Sequence, residues 1–275
     1  MFGDVLVDGV AVPFDSAAVS VMDAGLQRGY GCFETIRAYG GVPFRLEGHL
    51  RRLETSASLL ALELPDPSSL AAWVTDRAGA GGDCVVRILV TGGGSEGRPS
   101  TRGHTVVMAE SLGRVPVPFR VRPVVAPWHP DGMASELTGA KTLSYAPNLA
   151  ATMAAQRAGF DDALLLGRSG AVLEGPTYSV GWIGDGVLAT PGLELGVLAS
   201  ITRGVVLELA AQLGIAVEEG RFSLDEMTSA AEPFAMSTNK EVLPIAAIGD
   251  RSCSSGPTVP KLAAAFDDLV RRETT

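Results

Sequence analysis

Between Arg114 and Pro127 the chain places four prolines (Pro116, Pro118, Pro123 and Pro127) in fourteen residues. Proline lacks the N–H that the interior of a sheet or helix requires. No regular element is expected to run unbroken through such a stretch, which reads as an extended linker or edge strand between two lobes. The expected division is an N-terminal α/β domain over 1–115, a linker over 116–127 and a larger C-terminal domain over 128–275. At 275 residues the chain is long enough to bury one large core or two smaller ones.

Periodicity supports a mixed α+β class. Val5–Val7 and Val10–Val12 flank Asp8-Gly9, a hairpin signal. Phe33 to Tyr39 alternates with period two and ends at Gly40-Gly41, whereas Leu46, Leu50, Leu53, Ala57 and Leu60 recur at helical spacing. Strands are expected at 84–90 and 105–108. In the second half, Pro147 opens a helix where its missing N–H costs nothing, and Gly159 closes it. Residues 163–166, 171–173, 180–183, 187–189, 234–236 and 245–248 are strand-like. Helices are expected over Val205–Leu213, ended by Gly214, and from Val259 onward. The second half is thus β-rich.

Composition removes several classes of function. A hydrophobic fraction of 46% with 19% charged residues belongs to a globular chain rather than a disordered one. The net charge of −9 argues against a nucleic-acid partner, which needs a clustered basic surface. No apolar run approaches the ~20 residues of a membrane helix, and Met1–Val5 carries no signal-peptide pattern. A cytoplasmic protein is expected. Cys32, Cys84 and Cys253 are odd in number and scattered, as are His49, His104 and His129, so neither a disulfide framework nor a metal site is expected.

Lys141 is the most informative single residue. It is one of three lysines, against nineteen arginines, and lies among small and apolar residues in Leu137–Tyr145. Desolvation of an amine favours its neutral, nucleophilic form, which suits a Schiff base; the alternative is an exposed loop lysine. Arg52 flanks the apolar stripe of its helix, where its fork either meets a phosphate or carboxylate or simply covers apolar surface. Ser200–Arg203 precedes an apolar helix, and is either an anion site built on free backbone amides or an ordinary cap. Ser237-Thr238-Asn239 after a strand is a similar polar cluster or a plain turn. Glu174 ends an apolar strand, facing a site or solvent.

Taken in order, these pieces resemble the fold-type IV family of pyridoxal-phosphate enzymes, which includes branched-chain and D-amino-acid aminotransferases and 4-amino-4-deoxychorismate lyase. The matching runs are Asp23 to Arg37, His49 to Leu53, Lys141 to Tyr145, Leu173 to Gly175, Ser200 to Arg203, and Ser237-Thr238 ahead of Leu243-Pro244-Ile245. Each run is weak alone, but six in register span nearly the whole chain.

The resemblance implies pyridoxal 5′-phosphate held between a smaller N-terminal lobe and a C-terminal pseudo-barrel, in a homodimer whose sites borrow loop residues from the partner. Lys141 is then the Schiff-base lysine and proton carrier. Glu174 pairs with the pyridinium nitrogen, and Arg52, Thr202, the Ile201 and Thr202 amides and Thr238 hold the phosphate. Tyr145 bonds near the ring oxygen, and Phe33 lines the substrate. The chain departs from the family at Arg28-Gly29-Tyr30-Gly31, where relatives commonly carry Tyr-Gly-Asp-Gly. It also shows no counterpart to the substrate-reading segment of branched-chain enzymes. Ser95–Pro99 is similar to loops that carry a substrate-reading arginine, so Arg28 and Arg98 are expected to bind substrate carboxylate. The expected activity is amino transfer from a D-amino acid to a 2-oxo acid. The alternatives are the lyase, which releases pyruvate, and an inactive cofactor-binding relative.

Overall fold

The computed structural model describes residues 2–94, 99–100 and 102–274. Contacts divide the chain into two units. The first comprises Met1–Gly113, Ala140–Tyr145 and Val270–Thr275, and the second Arg114–Gly139 and Ala146–Leu269. No helix among the described residues is long and apolar enough to cross a membrane.

The first unit is built on six strands: β1 (Phe2–Val7), β2 (Val10–Val12), β3 (Gly31–Tyr39), β4 (Val42–Pro43), β5 (Cys84–Thr91) and β6 (Thr105–Glu110). They pair antiparallel in the order β2-β1-β6-β5-β3-β4. The expected Asp8-Gly9 hairpin is present, with φ of 51° and 81° at the two turn residues. These positive values match the twist of the flanking strands. One face of the sheet is covered by α2 (Leu46–Leu59) and α3 (Pro67–Gly81); the short α1 (Ala24–Arg28) precedes β3. Ile36, Ala38, Val86, Ile88 and Val107 from the sheet pack with Leu53, Ala57, Leu70, Val74 and Ala78 from these helices. Helix α3 is absent from the sequence reading. Its signal was Asp66, whose side chain accepts from the Ser68 and Ser69 amides, followed by Pro67 at the first helical position.

The second unit carries β7 (Phe119–Val125), β8 (Asp162–Leu166), β9 (Ser179–Gly184), β10 (Val187–Pro191), β11 (Ala216–Gly220), β12 (Glu232–Ser237), β13 (Glu241–Ile248) and β14 (Arg251–Ser252). The sheet runs β11-β10-β9-β12-β13-β7-β8, with β14 added to β13. The pairs β10–β11, β13–β7 and β7–β8 are parallel and the others antiparallel. Its helices are α4 (Ala146–Arg157), α5 (Ile201–Gln212), α6 (Leu224–Ser229) and α7 (Thr258–Glu273), whose last residues group with the first unit.

The structure differs from the sequence expectations at four places. Residues 119–125 form a strand paired on both sides rather than a linker. Phe119 and Val121 are buried while Arg120 and Arg122 are exposed. The prolines permit this because Pro116 and Pro118 precede the strand, and Pro123 lies beyond the last pair with β13, at Val121. Residues 140–145 group with the first unit rather than with 128–275, as do residues 270–275. Residues 171–173 do not form a full strand. Val172 bridges Leu166 and Ala171 bridges Ser223.

Candidate active site

In the first unit the Lys141 segment lies along the start of β3. The Phe33 amide donates to the Lys141 carbonyl at 3.0 Å, the Leu143 amide donates to the Gly31 carbonyl at 2.8 Å, and Cys32 bridges Thr142. A Cβ on Gly31 would collide with the Val90 carbonyl and come within 2.6 Å of Leu143 Cδ1, so glycine is what allows the segment to approach. The Lys141 amide donates to Ser56 Oγ at 3.0 Å, and Ser56 Oγ donates to the Arg52 carbonyl at 2.9 Å. The Lys141 ammonium nitrogen stands 4.3 Å from the Phe33 ring centroid and 5.9 Å from that of Tyr145. These two rings meet edge to face at 5.4 Å. The expected residues Phe33, Lys141 and Tyr145 are thus brought together.

Arg52 is joined to them through Ser56, but its fork is engaged in a way the sequence did not disclose. Its Nε and one terminal nitrogen each lie 2.7 Å from an oxygen of Glu34. His49 Nδ1 approaches Glu34 Oε2 at 2.8 Å. His49, Arg52 and Ser56 fall at i, i+3 and i+7 on α2, one face of the helix, and Glu34 is fully buried. Burial alone would push the Glu34 carboxyl up. The Arg52 charge and hydrogen bond, with the His49 hydrogen bond, outweigh it and bring it down to about 2. Burial lowers His49 against the raising effect of Glu34, so the imidazole is neutral at pH 7. Burial, with Glu34 nearby, pushes the Cys32 thiol up to about 12. Glu34 and His49 were missed as functional residues. A carboxylate inside the apolar run Phe33–Ile36 was the available signal.

Arg28 ends α1 and is exposed. The next residue, Gly29, closes the helix in the left-handed conformation (φ 65°) and accepts from Ser144 Oγ at 3.0 Å, next to Tyr145. Arg98 lies outside the described residues. A further cation, Arg87 on β5, was not singled out. It pairs across the ladder with Thr35, one step from the Phe33–Leu89 pair on the same face, and bonds Glu110 at 2.7 Å.

In the second unit Glu174 accepts from the Leu198 amide at 3.2 Å and faces His129 Nε2 at 3.3 Å. Gly175 follows because Tyr178 occupies the space a Cβ would need. Two residues after Leu198, Ser200 caps α5 through the Arg203 amide. The Ile201 and Thr202 amides lie in the first turn, where no helical carbonyl precedes them. Helix α5 packs on β12, and β12 ends at Ser237, just before Thr238. The Ser237–Lys240 turn sends the Lys240 amine over the rings of Tyr178, at 4.8 Å, and Phe119, at 5.3 Å.

Residues 31–248 match the family model for class IV aminotransferases. The chain belongs to this family. A putative branched-chain-amino-acid aminotransferase of Methanocaldococcus jannaschii is 32% identical over 284 residues, covering 96% of each chain. A D-alanine aminotransferase of Bacillus licheniformis is 28% identical over 281 residues, covering 98% of each. A branched-chain amino acid aminotransferase from T.th., solved in complex with N-(5′-phosphopyridoxyl)-L-glutamate, superposes with a TM-score of 0.88 at 29% identity. That alignment covers 98% of this chain and 94% of the other. As a class IV aminotransferase the protein is a pyridoxal-phosphate-dependent transaminase. Each unit holds groups of the kind that cofactor takes: the first a lysine amine walled by two aromatic rings, the second a carboxylate with a backbone donor and first-turn amides on an apolar helix.

Proposed function

We propose that this aminotransferase takes the amino group of a D-amino acid and passes it to a 2-oxo acid, with Lys141 as the covalent and proton-carrying residue. The setting of Lys141 carries the reading, since its backbone is fixed by Phe33, Gly31 and Ser56 while its amine is left against two rings. When bound, pyridoxal phosphate supplies an electron-withdrawing ring that accepts the electron pair released as the substrate Cα loses its proton. The Lys141 amine would hold the cofactor and, once displaced by the substrate amine, would serve as the base that carries the substrate Cα proton. Glu174 keeps the ring nitrogen protonated. Arg52, the Ile201 and Thr202 amides and Thr238 bind the phosphate, with Arg52 held in plane by Glu34. Tyr145 bonds the ring oxygen, and Phe33 excludes water from the reacting carbon.

Arg28 and Arg98 bind the substrate carboxylate, and Arg87 is a cation on the Phe33 face of the sheet that assists them. Two residues of strand separate Arg87 from the Phe33 pair, about 7 Å and within an arginine's reach. Arg28 and the D-alanine aminotransferase relative support D-amino acids. The 32% identical relative supports a second reading, in which the donor is a branched-chain amino acid. The protein works as a homodimer in this proposal; sedimentation at the mass of one chain would exclude it.

The deciding experiment follows the absorption band of the bound cofactor when D-alanine, L-leucine or L-valine is added without acceptor. Bleaching by D-alanine with one equivalent of pyruvate supports the leading reading. Bleaching by the branched-chain donors alone replaces it with the second. A Lys141→Ala variant that bleaches like the native enzyme overturns both.

A further inference from the structure

Glu174 is a carboxylate held by N–H donors. One oxygen takes the Leu198 amide at 3.2 Å and the other faces His129 Nε2 at 3.3 Å. The His129 side chain is 8% exposed and that of Glu174 16%. His129 Nδ1 is buried and has no hydrogen-bond partner among the described residues. That orphan decides the tautomer. A buried N–H without an acceptor costs about 1–3 kcal/mol, and a buried imidazolium would carry that N–H in addition to its charge. With no acceptor at Nδ1, the ring N–H belongs on Nε2, from which it donates to Glu174. The loop that presents His129 is tied down on both sides. Its own amide donates to the Ala126 carbonyl at 3.0 Å, Trp128 Nε1 donates to Asn148 at 2.9 Å, and the Gly132 amide donates to the Leu195 carbonyl at 3.1 Å.

We propose that His129 is a positioning residue for Glu174: its neutral Nε2–H fixes the carboxylate rotamer while leaving the full negative charge for a cationic ring nitrogen. An arginine or lysine would fix the rotamer equally well but would neutralise the pair, and a neutralised carboxylate holds a pyridinium proton less firmly. An apolar residue would leave one oxygen without its donor. The inference rests on the reading that Glu174 partners the cofactor's ring nitrogen, and its test separates the two.

Three observations on the full-length protein test it: imidazole nitrogen NMR of the apo form at pH 7.5, pyridoxal-phosphate titration of the apo form, and the half-reaction of the loaded enzyme. The variants are His129→Phe, His129→Gln, Glu174→Gln and the double change His129→Phe with Glu174→Gln. The NMR signals should show the neutral Nε2–H form; a doubly protonated ring overturns the proposal. His129→Phe should weaken cofactor binding and slow the half-reaction about tenfold or more, the worth of one hydrogen bond to a charged group, with little change in the donor KM. His129→Gln, whose amide can donate from a similar place, should recover to within about threefold. In the Glu174→Gln background, His129→Phe should add less than about twofold. Equal losses in the Phe and Gln variants, or an undiminished loss in the double variant, would reduce His129 to a packing residue. A large loss in Glu174→Gln with a silent His129→Phe removes His129 alone, whereas a silent Glu174→Gln removes the reading of Glu174 beneath it.

Discussion

Replacing Glu34 with glutamine tests whether charge, rather than shape, ties β3 to α2. The carboxyl is fully buried and held at about 2 in the fold, against about 4.3 for a glutamate in an unfolded chain. At about 1.4 kcal/mol per pH unit, that gap corresponds to about 3 kcal/mol of folding stability. The same size is expected from leaving Arg52 buried without its counter-charge, roughly 3–5 kcal/mol. The folded value lies below the unfolded one, so the unfolded chain takes up the proton first as pH falls. The contribution is therefore complete above about pH 5, near half at about pH 3, and gone below about pH 2. Urea unfolding of the native protein and of Glu34→Gln across this range reads the difference directly. The gap should be about 3 kcal/mol at pH 7 and shrink steadily below pH 5. A gap that stays constant from pH 7 to 3 would refute the charge argument. A gap under about 1 kcal/mol at pH 7 would mean that Arg52 and His49 do not hold Glu34.

Ser56→Ala should strand the Lys141 amide without its acceptor and cost about 1–3 kcal/mol in urea unfolding, although the change removes only one oxygen. Gly175→Ala should lower the melting temperature by several degrees, equivalent to about 1–3 kcal/mol. The Tyr178 ring cannot yield, because it is buried and its hydroxyl donates to the Ala163 carbonyl at 2.6 Å; an unchanged melting curve would contradict this packing. With iodoacetamide at pH 8, peptide mass analysis should find Cys253 modified first. Cys32, pushed up to about 12, and Cys84, raised by burial, should react only on unfolding.

What was legible in the sequence was mostly local. The hairpin at Asp8-Gly9, the stripe of α2 and the punctuation of α4 by Pro147 and Gly159 are each written within a few residues, and all are present. Strand β7 was concealed because its prolines outweigh an alternation that is plain once Phe119 and Val121 are seen buried. Helix α3 was concealed by its alanines and glycines, which weaken its apolar stripe to Leu70, Val74 and Ala78. At the candidate site, Lys141 stood out by scarcity and surroundings. Arg52 stood out by its place on the helix wheel, but its partner did not, since Glu34 lies on another element 18 residues away. The His129–Glu174 contact joins positions 45 residues apart, and nothing in either neighbourhood announces the other.

The two carboxylates show why burial alone does not mark a reacting group. Glu34 is enclosed by a bidentate guanidinium and an imidazole, so its charge is cancelled where it sits and its lone pairs are spent on fixing Arg52. Such a group stabilises a fold and orients a neighbour, but it has little field left for a third charge. Glu174 receives a backbone amide and a ring N–H, which restrain its rotamer. A cation brought to Glu174 meets a carboxylate held by an amide and a ring N–H, whereas one brought to Glu34 meets a cluster already holding a guanidinium. What already surrounds each carboxylate therefore supports the proposal of Glu174, rather than Glu34, as the partner of a cationic ring.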